Sequence, residues 1–206
     1  MAAIIRNRGD LKRQVLRVLD AAEDEEFQAR VDYWVDLGLQ DVFSVLRAWW
    51  AVRAATAQVE EDGAIILPPS YLAMVTVCPI GGGKPLTIVT PEQGVEMMAS
   101  GGPPTSYMLE GLLMTLLPLQ TADYQARFTY YSMLEPLEED ADINMYCTRA
   151  NSALMYAAAS HGAVYRGDSE LATQMAGMAL SRIESINSET QAGRFGTGVV
   201  MQRQGR

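Results

Sequence analysis

The sequence has 206 residues, enough for one domain with an elaboration, and 49% of them are hydrophobic while 20% are charged. This composition supports a folded core and excludes a disordered chain. The net charge of −9 argues against a tight DNA binder, and one His with two Cys offers too few ligands for most metal sites.

Two amphipathic helices are predicted at the start of the chain. Asp10 can cap a short helix from Leu11 to about Leu19, since its side chain can accept hydrogen bonds from free backbone N–H groups. Asp24 opens a longer helix, in which apolar residues recur at steps of three and four as far as Trp49. We therefore assign residues 1–60 to the N-terminal helices of a bundle.

The middle third changes to patterns that are typical of β-structure. Four elements are predicted in chain order: a hairpin over 72–80 and 85–90, a short helix over 92–99, a second hairpin over 107–117 and an alternating strand over 124–131. Strict alternation over the last of these indicates a half-buried strand. Residues 61–143 are thus predicted to form a β-rich lobe of about five strands, inserted into the bundle.

The last third is helical again. One helix is predicted from Ile143 to about His161, with Gly162 as its stop, and a second helix is capped by Asp168. Residues 144–187 complete the bundle, and residues 188–206 read as an extended C-terminal arm because the helical period ends. The predicted fold class is α+β, a helical bundle with an inserted β-rich lobe and an extended C-terminal tail.

Three candidate chemical motifs fail on inspection. Gly81-Gly82-Gly83-Lys84 is followed by Pro85, which denies the hydroxyl and the helix start that a phosphate loop needs. The stretch 140–151 lacks the glycine and the final glutamate of a calcium loop. Cys147 and His161 are separated by about 21 Å along a helix, too far for a nucleophile and its base. We expect no catalytic, cofactor-binding or metal-binding residue, and no enzyme.

Charge is unevenly distributed along the chain. Residues 61–143 carry 2 basic and 11 acidic residues, a net charge of −9, whereas the segments before and after carry −2 and +2. A solvated acidic lobe is the simplest interpretation. The C-terminal arm has the opposite sign and adds apolar residues that have no evident place in the bundle.

Four stretches of the sequence carry a family resemblance in their order and spacing. They are Leu67-Pro68-Pro69-Ser70-Tyr71-Leu72; Lys84-Pro85-Leu86 with Thr90-Pro91-Glu92; Tyr107-Met108-Leu109-Glu110-Gly111 up to Pro118; and Phe128-Thr129-Tyr130-Tyr131 with Thr148-Arg149-Ala150. In this set the chain resembles the head-to-tail adaptor proteins of tailed bacteriophages, also called head completion or connector proteins. It departs from them at Met145-Tyr146, where the family often has a Trp, and at Asn151-Ser152, where it often has Pro-Asp.

The resemblance implies a structural virion protein without catalysis or cofactor. Such a protein is made in the host cytoplasm and forms a ring of about twelve copies under the portal, in the neck between the head and the tail. The implied partners are the portal protein, other copies of the chain, a tail or nozzle protein on the distal side, and double-stranded DNA that passes without specific binding; no membrane is involved. The alternative is another phage neck or tail ring protein, such as a tail terminator or a nozzle-side connector.

Two sets of residues are candidate sites within that interpretation. An acidic set would face the DNA channel or the open end of the ring, where it would repel phosphates: Glu135, Glu138, Glu139, Asp140 and Asp142. A second set in the arm would bind the portal by strand addition or groove filling: Arg194, Phe195, Val199, Val200, Met201, Arg203 and Arg206. A frayed terminus is the alternative for the arm.

Overall fold

The structure, a computed structural model, describes residues 5–80, 83–121, 124–133 and 136–195, with side chains as far as Thr190. The elements are α1 (Arg8–Val18), α2 (Glu25–Val45), a 3₁₀ turn (Trp49–Ala51), β1 (Val52–Gln58), β2 (Ala64–Ile66), β3 (Tyr71–Pro79), β4 (Thr87–Ile88), α3 (Pro91–Met98), β5 (Ser106–Glu110), β6 (Leu113–Leu117), β7 (Gln125–Ser132), α4 (Met145–Arg149), α5 (Asn151–Arg166) and α6 (Ser169–Phe195). The predicted α+β class is confirmed. None of the helices described is long and apolar enough to cross a bilayer.

The chain divides into two compact units. Residues Met1–Trp50 and Leu134–Arg206 form the helical unit, and residues Ala51–Met133 form the β unit. The β unit begins and ends about ten residues before the predicted insertion, 61–143. It begins earlier because β1, over Val52–Gln58, is a strand that the sequence pattern does not indicate. It ends earlier because residues 136–143 belong to the helical unit.

Side-chain caps begin several helices of the helical unit, among them α1, α2 and α6. Asp24 accepts hydrogen bonds from the backbone N–H groups of Glu26 and Phe27 and so begins α2, as predicted. The cap of α1 is Asn7 rather than Asp10, and Asp10 lies in the first turn, where its charge favours the helix dipole. Asp168 accepts a hydrogen bond from the N–H of Leu171 at the start of α6, as predicted.

Glycines allow two close contacts within the helical unit. A Cβ at Gly38 of α2 would lie only 2.6 Å from the backbone nitrogen of Ala158 in α5, so these two helices touch through their backbones. Gly162 was predicted to end the helix, but α5 continues to Arg166. Glycine is needed at position 162 for another reason, because a Cβ there would collide with Leu19 and with Trp34. The stop is Gly167, whose φ of 80° is readily adopted only by glycine.

The last helix extends further than its sequence period predicts. Residues 188–195, predicted as part of an extended arm, belong to α6. The side chain of Asn187 accepts a hydrogen bond from the N–H of Arg47, at 2.7 Å, and that of Thr190 accepts one from the N–H of Trp49, at 3.2 Å. Polar contacts therefore fix the position of this part of α6. Because they are not apolar, the helix cannot be recognised there from a periodic pattern of apolar residues. Residues 196–206 lie outside the described residues.

The β unit contains two sheets. One has three antiparallel strands in the order β1-β7-β3, and the other has four strands in the order β2-β6-β5-β4. The hairpin predicted over residues 107–117 is confirmed as β5 and β6, joined by a turn at Gly111 and Leu112. The hairpin predicted over 72–80 and 85–90 is wrong: β3 pairs with β7, and β4 pairs with β5 in parallel.

The core of the β unit lies between its two sheets. It contains side chains from both, including Val77 and Phe128 of the first sheet and Ile65, Met114 and Leu116 of the second. The alternation predicted over residues 124–131 is confirmed in β7 as far as Tyr130. It ends at Tyr131, which was expected on the exposed side and is buried. β7 is the central strand of the three-stranded sheet. Burial of these apolar side chains is the main force that stabilises the unit.

Candidate functional site

Groups able to do chemistry are few in the described part of the chain. No cluster of three or more His, Cys, Asp or Glu side chains that could hold a metal ion is found among the described residues. Cys147 is buried, which raises the pKa of its thiol to about 11 and leaves it unreactive at neutral pH. His161 lies inside α5, where its Nε2 is 2.8 Å from an Asp41 carboxylate oxygen on α2. That contact joins α2 to α5 and has a structural role.

The acidic segment before α4 is attached to the start of α1. The backbone N–H groups of Arg8 and Gly9 donate to the carbonyl oxygens of Asp142 and Asp140, at 3.1 and 2.9 Å. These N–H groups belong to the first turn of a helix, where no intrahelical acceptor exists. The segment therefore satisfies them and fixes its own path along the helical unit.

Two of the predicted acidic residues shape this segment. The carboxylate of Asp142 accepts hydrogen bonds from the N–H groups of Glu138 and Glu139, both at 2.8 Å, and these bonds lower the pKa of Asp142. The carboxylate of Asp140 lies 2.8 Å from the Lys12 ammonium, which is also 3.0 Å from Asp32. Both carboxylates are thus engaged within the chain.

Arg8 is the centre of this arrangement. Its side chain is only 5% exposed and forms ion pairs with Asp36, at 2.7 Å, and with Asp32, at 3.1 Å. It also donates to the carbonyl oxygen of Leu137. Burial alone would lower the pKa of Arg8, but the hydrogen bonds to Asp36 and Asp32 outweigh it and raise the pKa. The guanidinium therefore stays charged and holds α1, α2 and the acidic segment together.

The structure places the five predicted acidic residues in different situations. Glu138 and Glu139 are exposed, Asp140 and Asp142 hold the segment, and Glu135 lies outside the described residues. The sequence analysis missed the cations that meet this segment. A spacing of four residues could have revealed them, because residues four apart lie on the same face of a helix. On α1 this spacing joins Arg8 and Lys12, and on α2 it joins Asp32 and Asp36.

The predicted arm residues are only partly placed. Arg194 and Phe195 belong to the last turn of α6, while Val199, Val200, Met201, Arg203 and Arg206 lie outside the described residues.

The two adjacent tryptophans have different surroundings. Trp50 is buried and packs edge-on against Tyr146, with ring centroids 4.8 Å apart. Trp49 is 57% exposed, and the guanidinium of Arg149 lies 5.3 Å from its ring centre. Tyr146 is fully buried, and its hydroxyl has no hydrogen-bond partner among the described residues. Of the two, Trp49 is the one that could meet another molecule.

Comparison with protein-family models gives a match over most of the chain. Residues 6–202 match the family model described as SU10 adaptor protein, which spans all the described elements from α1 to α6. No curated protein matches the chain.

Proposed function

The chain belongs to the SU10 adaptor protein family, a family of phage head–tail adaptors, and from this premise we propose that it forms a ring under the portal. In that position the ring connects the DNA-filled head to the tail and extends the DNA channel. The observation that carries the proposal is the family match over residues 6–202.

Electrostatics supports this role. A ring that conducts DNA must let the duplex slide, and a chain with a net charge of −9 offers little attraction for phosphates. We propose about twelve copies per ring, each meeting two identical neighbours through heterologous contacts. The portal protein would lie on one side of the ring and a tail or nozzle protein on the other.

The test is reconstitution of the full chain with isolated portal rings and with isolated tail or nozzle assemblies, followed by electron microscopy. A portal adaptor should add a closed ring to the portal. Binding only to tail or nozzle assemblies would refute the proposal and favour a tail terminator or a nozzle-side connector. In a reconstruction of the ring, Glu138 and Glu139 should face the channel or the open end; their placement inside subunit contacts would refute that assignment.

We further propose that the C-terminal end binds the portal. Its candidate residues are Arg194, Phe195, Val199, Val200, Met201, Arg203 and Arg206, a basic and apolar set suited to an acidic groove or a sheet edge. A truncation that tests this must spare Thr190, because Thr190 is buried and bonds to the N–H of Trp49.

A chain that ends at Phe195 should keep the thermal stability of the full chain and lose binding to isolated portal rings. A chain that ends at Ser188 is the matched control, and it should also lose stability because it lacks Thr190. Full portal binding by the chain that ends at Phe195 would refute a portal contact through residues 196–206.

A further inference from the structure

The outer face of the three-stranded sheet has no role in the function proposed so far. Side chains alternate along β7, so that Phe128 enters the core while Arg127 and Thr129 lie on the opposite face. The strand register places Thr56 of β1 and Cys78 of β3 on either side of Arg127. We call these residues, together with Thr76, the Arg127 face.

The Arg127 face is a shallow depression without acidic groups. It has a volume of about 580 Å³, and its described lining consists of three threonines, Cys78, Pro79, Ile80 and Arg127, with no carboxylate. Arg127 is exposed, and none of the described residues forms an ion pair with it. Few acidic residues and an exposed arginine are two features that this surface shares with protein interfaces.

Elsewhere the β unit is acidic. Residues 51–133 contain seven acidic residues and three basic ones, and the densest acidic run is Glu60-Glu61-Asp62 in the turn between β1 and β2. All three of these residues are exposed. The Asp62 carboxylate accepts the N–H of Ala64 and fixes the turn, whereas no described residue pairs with the carboxylates of Glu60 or Glu61.

We propose that the Arg127 face of each copy receives the acidic turn, residues 60–62, of the next copy in the ring. This inference rests on the proposed ring. Contacts in a cyclic ring are heterologous, so each copy must present two different and complementary patches. Copies that each carry −9 repel one another, and the face that lacks carboxylates and carries Arg127 is where an approaching acidic turn meets attraction instead.

A passing DNA strand is the competing occupant of the same face, because phosphates also seek arginine and hydroxyl groups. The chain itself favours the protein partner. One arginine per copy is a weak hold on DNA within a chain of net charge −9. The same chain also supplies an exposed acidic turn whose two glutamates have no described partner.

A disulfide cross-link tests the contact directly, because Cys78 is the strand neighbour of Arg127 and the other cysteine, Cys147, is buried. The variant Glu61→Cys would be assembled on portal rings and oxidised with copper phenanthroline. It should give a ladder of linked copies on a non-reducing gel. Glu110→Cys is the matched control, an exposed glutamate at the end of β5 in the same unit, and it should give no ladder.

Full rings without a ladder from Glu61→Cys, or equal ladders from both variants, would overturn the inference. Failure of the unmodified chain to assemble on portal rings would refute the proposed function, and this inference with it.

Charge reversal gives an independent check. Arg127→Glu should raise the chain concentration needed to half-fill a portal ring about tenfold or more, since a close interfacial charge pair becomes repulsive. Lys84→Glu, the same charge change at another exposed position of the β unit, should have little effect. Adding Glu61→Arg to Arg127→Glu should restore assembly.

Normal assembly of a folded Arg127→Glu variant, or no rescue by Glu61→Arg, would overturn the inference. A change confined to DNA passage would assign the face to DNA instead. Thermal unfolding of each variant separates these outcomes from misfolding, and Arg127→Gln replaces Arg127→Glu if the latter does not fold; normal ring filling by Arg127→Gln would equally overturn the inference.

Discussion

The substitution Gly38→Ala tests the backbone contact between α2 and α5. The added Cβ would lie 2.6 Å from the backbone nitrogen of Ala158 and 2.9 Å from its Cα, whereas ordinary contact begins at 3.4 Å. The atoms it meets are backbone atoms, which cannot rotate away as a side chain could. Helices α2 and α5 must therefore separate locally by about 0.8 Å, and close-packed interiors resist such a shift.

The expected loss of stability follows from two opposed effects. Forcing an extra carbon into a packed contact costs about 1–3 kcal/mol, and a clash with backbone belongs in the upper part of that range. Alanine is favoured over glycine within a helix by about 1 kcal/mol. The net effect of Gly38→Ala on the free energy of unfolding should be a loss of about 1–2 kcal/mol.

Gly177→Ala is the matched control. Gly177 also lies inside a helix, α6, but a Cβ there would have no neighbour within 4 Å. Only the helix preference remains, so this variant should gain about 0.5–1 kcal/mol. The two substitutions are chemically identical and should change stability in opposite directions.

Urea unfolding followed by tryptophan fluorescence measures both variants. All three tryptophans, Trp34, Trp49 and Trp50, belong to the helical unit, so their emission reports the unfolding of that unit. If Gly38→Ala proves as stable as Gly177→Ala, then α2 and α5 do not approach through their backbones and the packing argument fails.

Two further predictions concern buried and ionised groups in the helical unit. Tyr146→Phe should keep or raise the free energy of unfolding, by up to about 1 kcal/mol, because the buried hydroxyl that it removes has no described partner; a clear loss in urea unfolding would show that the hydroxyl is bonded. Burial raises the pKa of Asp32, but the hydrogen bonds from Lys12 and Arg8 outweigh it and hold the pKa below its ordinary 3.8. The stability that Asp32 contributes is therefore present above that pH and is lost as the pH falls through the lower folded-state value. Asp32→Asn should flatten the acid-side decline of stability in unfolding curves recorded between neutral pH and pH 2, and an unchanged decline would contradict this role.

Elements that are set by local chemistry were predictable from the sequence. The Asp24 and Asp168 caps, the turn between β5 and β6, and the alternation of β7 each depend on residues close together in the chain. A local pattern contains what is needed to recognise such elements.

Elements that depend on distant partners were missed. Strand β1 is rich in alanine, a helix former, and it is a strand because β7 pairs along its whole length. Residues 188–195 are helical although their apolar period has ended, and Asn187 and Thr190 hold that stretch by capping N–H groups more than 100 residues earlier. The pairing of β3 with β7, instead of a local hairpin, is likewise a long-range choice.

The candidate site shows the same limit. The sequence shows that residues 138–142 are acidic, but it does not show which of these side chains form contacts within the chain and which are exposed. The Asp140 carboxylate pairs with Lys12 and the Asp142 carboxylate accepts two backbone N–H groups. The side chains of Glu138 and Glu139 are exposed instead. Arg8, the residue with the most contacts there, is an ordinary N-terminal arginine until the fold brings α2 beside it.

The pairing of β1 with β7 has a consequence for how this protein can change over evolution. Val52, near the start of the β unit, and Tyr131, near its end, are direct partners in the sheet, so their Cα atoms are only about 5 Å apart. A bridge of about two residues would span that gap if everything between were deleted. Because its two ends lie close together, recombination could replace the β unit with another insertion without changing the positions of the chain ends that it joins.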